Sequence, residues 1–159
     1  MAADARRSPH PDGTIRGMIR RSPDRTRRDR RTAHALAGLL GTAAVLHVVR
    51  PEPFDSIVPE SLPGEPRFWT YASGAAEGAV AAALAWPRTR RAGGWAATAL
   101  FAAVFPANVS MALQWQRKPP VYRAIAWGRL PLQVPLVLWA LRIARVRPAR
   151  SADRVPARG

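Results

Sequence analysis

Glu77 demands the most of its surroundings. It stands near the middle of an apolar stretch, residues 68–86, long enough to cross a bilayer as a helix. A carboxylate at that depth must face protein or trapped water, find a partner, or take up a proton. Thr70, Ser73 and Gly74 precede it by seven, four and three residues. They therefore share its helical face and form a polar, small-residue stripe suited to close helix contact. A second ionisable group, Arg129, lies about a turn and a half into the stretch 124–141, with Gln133 one turn further on the same face. The sequence predicts that Arg129 pairs with Glu77. Asn108 lies beside Pro106 in the stretch 92–115, and His47 closes the stretch 32–49. At a rise of ~1.5 Å per residue, His47 is nearest the surface, followed by Arg129 and then Asn108, with Glu77 and Gln133 deepest. All five fall in one half of the membrane or close to its midplane.

These residue types suggest definite roles. Glu77 could exchange a proton or accept hydrogen bonds, with Arg129 as its counter-charge or as an anion ligand. Asn108, Gln133 and His47 would form a polar wall, and Ser73 joins the candidate site from the Glu77 stripe. The same groups serve equally well as interhelical glue, at about 0.6–2 kcal/mol per contact, and the sequence leaves both readings open. The other histidines, His10 and His34, lie far from His47 in the chain, and there is no cysteine. No set of three or four ligands exists for a protein-bound metal or a bis-histidine haem, and no cofactor motif is evident. The chain does not read as an enzyme acting on its own.

The elements that must hold these residues are four apolar stretches at 32–49, 68–86, 92–115 and 124–141. Each has about the 17–25 residues of a membrane-crossing helix. The expected fold is all-α, an integral membrane four-helix bundle over residues 32–143. A water-soluble bundle would carry polar faces that these stretches mostly lack. All six tryptophans (Trp69, Trp86, Trp95, Trp115, Trp127 and Trp139) fall at or near a stretch end, as in an interfacial belt. Pro131 and Pro135 are expected to bend or locally unwind the last helix, as is Pro106 in the third. The segment 50–67 holds Pro51, Pro53, Pro59, Pro63 and Pro66 together with Phe54, Ile57, Val58 and Leu62. It reads as a stiff cap on one mouth of the bundle.

Charge sets the orientation. The formal net charge is +15, from 25 Lys and Arg against 10 Asp and Glu. Ten arginines fall in residues 1–31 and six more between Arg142 and Arg158. Residues 1–31 and 144–159 are expected to be disordered basic tails. The apolar stretch after the first tail is longer than a signal-peptide core, which argues against a cleaved leader. A nucleic-acid binder would show a recognisable motif on a water-facing surface, and none is present, so the expected partner is the lipid bilayer. With four crossings, both tails and Arg88, Arg90 and Arg91 share one side, and the positive-inside rule makes that side cytoplasmic. Arg117, Lys118 and Arg123 then face outward, against the rule. A chain rich in Ala, Arg and Pro suggests a GC-rich bacterial genome, and hence a bacterial plasma membrane.

Several strings taken in order resemble DoxX-like membrane proteins. They are His47, Pro53-Phe54, Ile57-Val58-Pro59 and Leu62-Pro63; Tyr71-Ala72-Ser73-Gly74 with Glu77; Thr89-Arg90; Phe105-Pro106-Ala107-Asn108-Val109 with Met111; and Arg129-Leu130-Pro131-Leu132-Gln133 ending in Trp139-Ala140. The likeness covers residues 33–143. It implies a four-helix membrane fold. Some members of that family are associated with membrane redox systems, including a thiosulfate:quinone oxidoreductase subunit and an oxidative-stress complex. The resemblance therefore implies an accessory subunit working beside an oxidoreductase partner, with a quinone or small solute at the polar site. The absence of cysteine argues against a thiol relay. The alternatives are a small-solute or proton-coupled transporter and a purely structural anchor for a redox partner.

Overall fold

Proline and glycine set the element boundaries. The computed structural model describes residues 23–146. Within them run α1 (Pro23–Val49), the single-turn α2 (Glu52–Asp55), α3 (Pro66–Ala85), α4 (Arg90–Gln114), a 3-10 turn (Trp115–Arg117) and α5 (Pro120–Ala144). Prolines open α2, α3 and α5, where a missing N–H costs nothing and the fixed φ suits the first turn. Gly64, at φ +87°, turns the chain just ahead of α3 in a conformation that side chains disfavour.

α1 starts well before the apolar boundary. Residues 23–31, expected as part of a disordered arm, are helical. Arginine is a good helix former, and the Thr32 hydroxyl donates back to the Arg28 and Asp29 carbonyls at 3.0 Å each. Ala144, expected to begin the second tail, is the last residue of α5, and residues 1–22 and 147–159 of the expected tails lie outside the described residues. Local unwinding at the prolines is not seen, because α4 runs unbroken through Pro106 and α5 through Pro131 and Pro135. Each proline removes one donor from the ladder, but the turns on either side keep theirs, and the helices do not unwind.

Contacts between helices fix their directions. Along α1 and α3, His34 meets Ala85 while His47 meets Glu77, so the two run antiparallel. Gly93 of α4 lies against Ala83 and Leu84 of α3. Gly94 lies against Ala144, while Asn108 reaches Gln133, so α4 and α5 are antiparallel too. The Trp139 indole N–H donates to the Thr32 carbonyl at 3.2 Å and ties the end of α5 back to α1. The four long helices thus alternate in direction, and both ends of the described chain lie at one end of the bundle. The closest pairings are α1 with α3 and α4 with α5, joined through α3 and α4.

The core is built from small residues. Ala33, Ala37, Ala81, Ala97 and Ala140 are buried with Leu36, Leu40, Leu84, Phe101 and Ile143. Meanwhile Val45, Val48, Phe68, Trp86, Leu132, Val134 and Leu138 are exposed. None of the six tryptophans is buried. Large residues outside and small ones between helices is the arrangement expected where packing in lipid, not exclusion of water, joins helices. Among the described residues three helical segments, Thr26–Val49, Arg90–Arg117 and Pro120–Ala144, are long and apolar enough to cross a membrane. This points to a membrane protein. α3 is not among them. It is rich in alanine and glycine and carries Glu77, and it packs against α1 on one side and α4 on the other.

The segment between α1 and α3 folds back over the other end of the bundle. Asp55 anchors it, accepting from the Arg67 Nε at 2.8 Å and from the Thr70 hydroxyl at 2.6 Å. The Trp69 indole donates to the Pro63 carbonyl at 2.8 Å, and Ile57 packs on Met111, Ala112 and Ala126. The Thr70 hydroxyl, and then Arg67 through its hydrogen bond and charge, hold the Asp55 carboxyl below its ordinary value. A depressed carboxylate stabilises the fold above its unfolded pKa of ~3.9, and that contribution is lost as pH falls through the lower folded value. The melting temperature should therefore fall for Asp55→Asn at pH 6. The gap between variant and wild type should close as the pH drops below about 4, and a gap constant with pH would show that the anchor is not ionic.

Candidate functional site

The buried polar side chains of the described residues are His47, Thr70, Glu77, Asn108 and Gln133. Four of them are residues that the sequence singled out. They form two pairs, one between α1 and α3 and one between α4 and α5.

The first pair is His47 with Glu77. Gly74 makes it possible, since a Cβ there would lie 2.7 Å from the His47 Cβ. Without a side chain at Gly74, α1 presses onto α3 and carries the imidazole to the carboxylate. His47 Nδ1 stands 3.1 Å from Glu77 Oε2 and 2.8 Å from the Ala43 carbonyl. One Nδ1 proton cannot satisfy both acceptors fully. The carbonyl takes the hydrogen bond, and Glu77 Oε2 has no hydrogen-bond partner among the described residues although Glu77 is only 9% exposed. Phe54 of the cap stacks on the imidazole, with ring centroids 3.7 Å apart and planes 26° from parallel. The pair is thus closed off from the bundle end by an aromatic ring.

The second pair is Asn108 with Gln133. The Asn108 amide N–H donates to Gln133 Oε1 at 3.3 Å, and the Gln133 amide donates in turn to the Phe101 carbonyl. That carbonyl lies on α4 just over a turn ahead of Pro106, whose ring crowds the carbonyls of the preceding turn. Gln133 therefore meets a backbone acceptor beside the proline, and one N–H of each side-chain amide is committed to joining α4 to α5.

Two of the residues read from the sequence are not brought into contact with Glu77. Arg129 does not pair with Glu77. It is exposed on α5 and forms no ion pair among the described residues, and its charge acts on Glu77 only through space. The reason is the packing order. α3 lies between α1 and α4, whereas α5 packs mainly on α4, so α1 supplies the partner of Glu77. Ser73 is half-buried, with no hydrogen bond to Glu77. Residues overlooked as site members are Phe54, Asp55, Thr70 and Arg67. Thr70 was legible as part of the Glu77 stripe, but no signal in the sequence told Asp55 from the other acids of its loop. Among the described residues no cluster of three or more His, Cys, Asp or Glu could hold a metal ion.

All of these residues fall inside one recognised domain. Residues 36–144 match a family described as a domain of unknown function (DUF8561). The chain belongs to that family. No curated protein and no solved structure matches it. In this DUF8561 member the matched stretch contains both buried polar pairs and the whole cap, and it leaves out the charged first turns of α1.

Proposed function

We propose that this DUF8561 protein is a four-helix, multi-pass protein of a bacterial plasma membrane, DoxX-like in architecture, serving as an accessory subunit of a membrane redox system. In this reading α3 is the fourth crossing, sheltered by α1 and α4 and so able to span with a less apolar sequence. Both described chain ends share a bundle end with Arg88, Arg90, Arg91, Arg142 and Arg145. This supports cytoplasmic termini under the positive-inside rule.

Glu77 and His47 form a polar pair that hydrogen-bonds the hydroxyl of a quinol entering by displacing Phe54, and Glu77 takes that hydroxyl's proton as the oxidoreductase partner removes the quinol's electrons. The observation that carries this reading is the buried Glu77 oxygen without a hydrogen-bond donor. Leaving such a group unsatisfied costs about 1–3 kcal/mol or more, so the site favours a proton or a donor hydroxyl there. Asn108 and Gln133 act as structural ties, since Asn108 donates to Gln133 and Gln133 donates to the Phe101 carbonyl.

The test is native mass spectrometry of the detergent-purified full chain with short-chain ubiquinol and ubiquinone. A one-to-one quinol adduct that survives Arg129→Gln and disappears in Glu77→Gln, at an unchanged melting temperature, is the expected result. No adduct with either form would remove the quinol from the proposal.

A further inference from the structure

A groove of about 500 Å³ opens beside the cap, at the junction of α4 and α5. It is lined by Ser56, Gln114, Trp115, Lys118, Pro119 and Tyr122. Its volume falls in the ~300–1,000 Å³ range of small-ligand sites. No acidic residue lines it. Lys118 forms no ion pair among the described residues, nor do its neighbours in the chain, Arg117 and Arg123. Trp115 and Tyr122 stand edge to face, with ring centroids 5.7 Å apart. Neither the indole N–H nor the phenol hydroxyl has a hydrogen-bond partner among the described residues. Gln114 uses one amide proton on the Ser110 hydroxyl at 2.8 Å and keeps the other. The Ser56 hydroxyl is already committed to the Pro53 carbonyl at 2.8 Å.

The residues lining the groove therefore carry an ammonium, an indole N–H, a phenol O–H and an amide N–H, with no carboxylate among them to compete. Such a set suits a phosphate-type anion, held by charge-assisted hydrogen bonds. The surrounding cations are also those that violate the positive-inside rule, since this end of the bundle is the one opposite the chain termini. A bound anion neutralises them where they stand. The paired Trp115 and Tyr122 rings are the residue types that settle at headgroup depth.

We propose that this groove binds the phosphate of an anionic phospholipid headgroup, with Lys118 as the charged contact and Trp115, Tyr122 and Gln114 as neutral donors. The proposal rests on the membrane reading above but not on the Glu77 site.

The test uses the full chain in detergent, with phosphatidylglycerol, phosphatidylcholine and inorganic phosphate as separate probes, read by native mass spectrometry. Phosphatidylglycerol should bind in preference to phosphatidylcholine. Lys118→Gln should weaken it about tenfold, the loss expected for one charge-assisted contact. Arg145→Gln removes the same charge at the opposite end and should change binding less than about twofold. Tyr122→Phe supplies a second variant that keeps the ring and should also weaken binding. Equal loss from Lys118→Gln and Arg145→Gln would overturn the site, since net charge alone would then explain the binding. Displacement of the lipid by inorganic phosphate would overturn the lipid assignment in favour of a soluble phosphate. A chain that stays monodisperse without detergent would refute the membrane reading itself, which lipid titration alone does not test.

Discussion

His47→Leu should destabilise the protein by about 1–3 kcal/mol, the cost of leaving buried polar groups without their partner. Glu77 would be left with an apolar neighbour in place of the imidazole 3.1 Å away, and the Phe54 ring would lose the surface on which it stacks. Glu77→Leu should cost less, because one of its oxygens is already without a hydrogen bond, while His47 keeps the Ala43 carbonyl as acceptor. The double variant should recover most of the stability, since two well-packed apolar residues can replace a buried polar pair at little cost. A melting-temperature cycle on the detergent-solubilised chain gives the coupling directly. The companion cycle between Glu77 and Arg129 should show weak coupling, because Arg129 is exposed and acts only at a distance. Strong coupling in that second cycle would restore the pairing read from the sequence and refute the helix order described here. Glu77→Gln separates scaffold from function. It keeps the shape and an acceptor for the imidazole, so a stable protein that no longer binds quinol would place the chemistry on the carboxylate.

These outcomes turn on something that the sequence reveals only in part. Hydropathy and proline positions locate the long helices to within a few residues, except for the start of α1. There the chain looked too polar to order, yet arginine extends a helix that apolar packing has already nucleated. Cost arguments pick out His47, Glu77, Asn108 and Gln133, because a polar group in an apolar stretch must be satisfied wherever the helix turns it. Counting residues from the ends of a stretch gives depth, and depth puts Arg129 and Glu77 in the same half of the membrane. It cannot say which helices are neighbours. Gly74 does say so, in retrospect, because a residue without a side chain one turn before a buried carboxylate marks where another helix comes close. What it leaves open is whether that helix brings a histidine or an arginine. The Asp55 anchor was hidden for a different reason. A loop with four acidic residues offers several partners for Arg67, and only the folded path of the cap brings Asp55 to both Arg67 and Thr70.

The largest backbone effect is expected at Gly94. A Cβ placed there would lie 2.5 Å from the Ala144 nitrogen, 2.8 Å from its Cα and 3.1 Å from the Ala140 carbonyl oxygen. All three are main-chain atoms, so no side chain can rotate aside and α5 itself must move. Gly93 adds to the constraint, because its Cβ would meet the Ala83 and Leu84 backbone of α3 at 2.8 Å. The two glycines together seat the first turn of α4 between two other helices. Overpacking usually costs about 1–3 kcal/mol, and Gly94→Val should reach the upper end of that range or exceed it. Shifting the end of α5 would also strain the Trp139 hydrogen bond to Thr32, which ties α5 to α1. Gly38 and Gly128 supply the contrast, since a Cβ at either meets nothing within 4 Å. Alanine at those positions should leave stability unchanged or raise it by about 0.5–1 kcal/mol through helix propensity. Melting curves of the three variants in one detergent decide the matter. If Gly94→Val melts with the wild type, α4 and α5 do not meet along their backbones, and the seating of Asn108 against Gln133 falls with that contact.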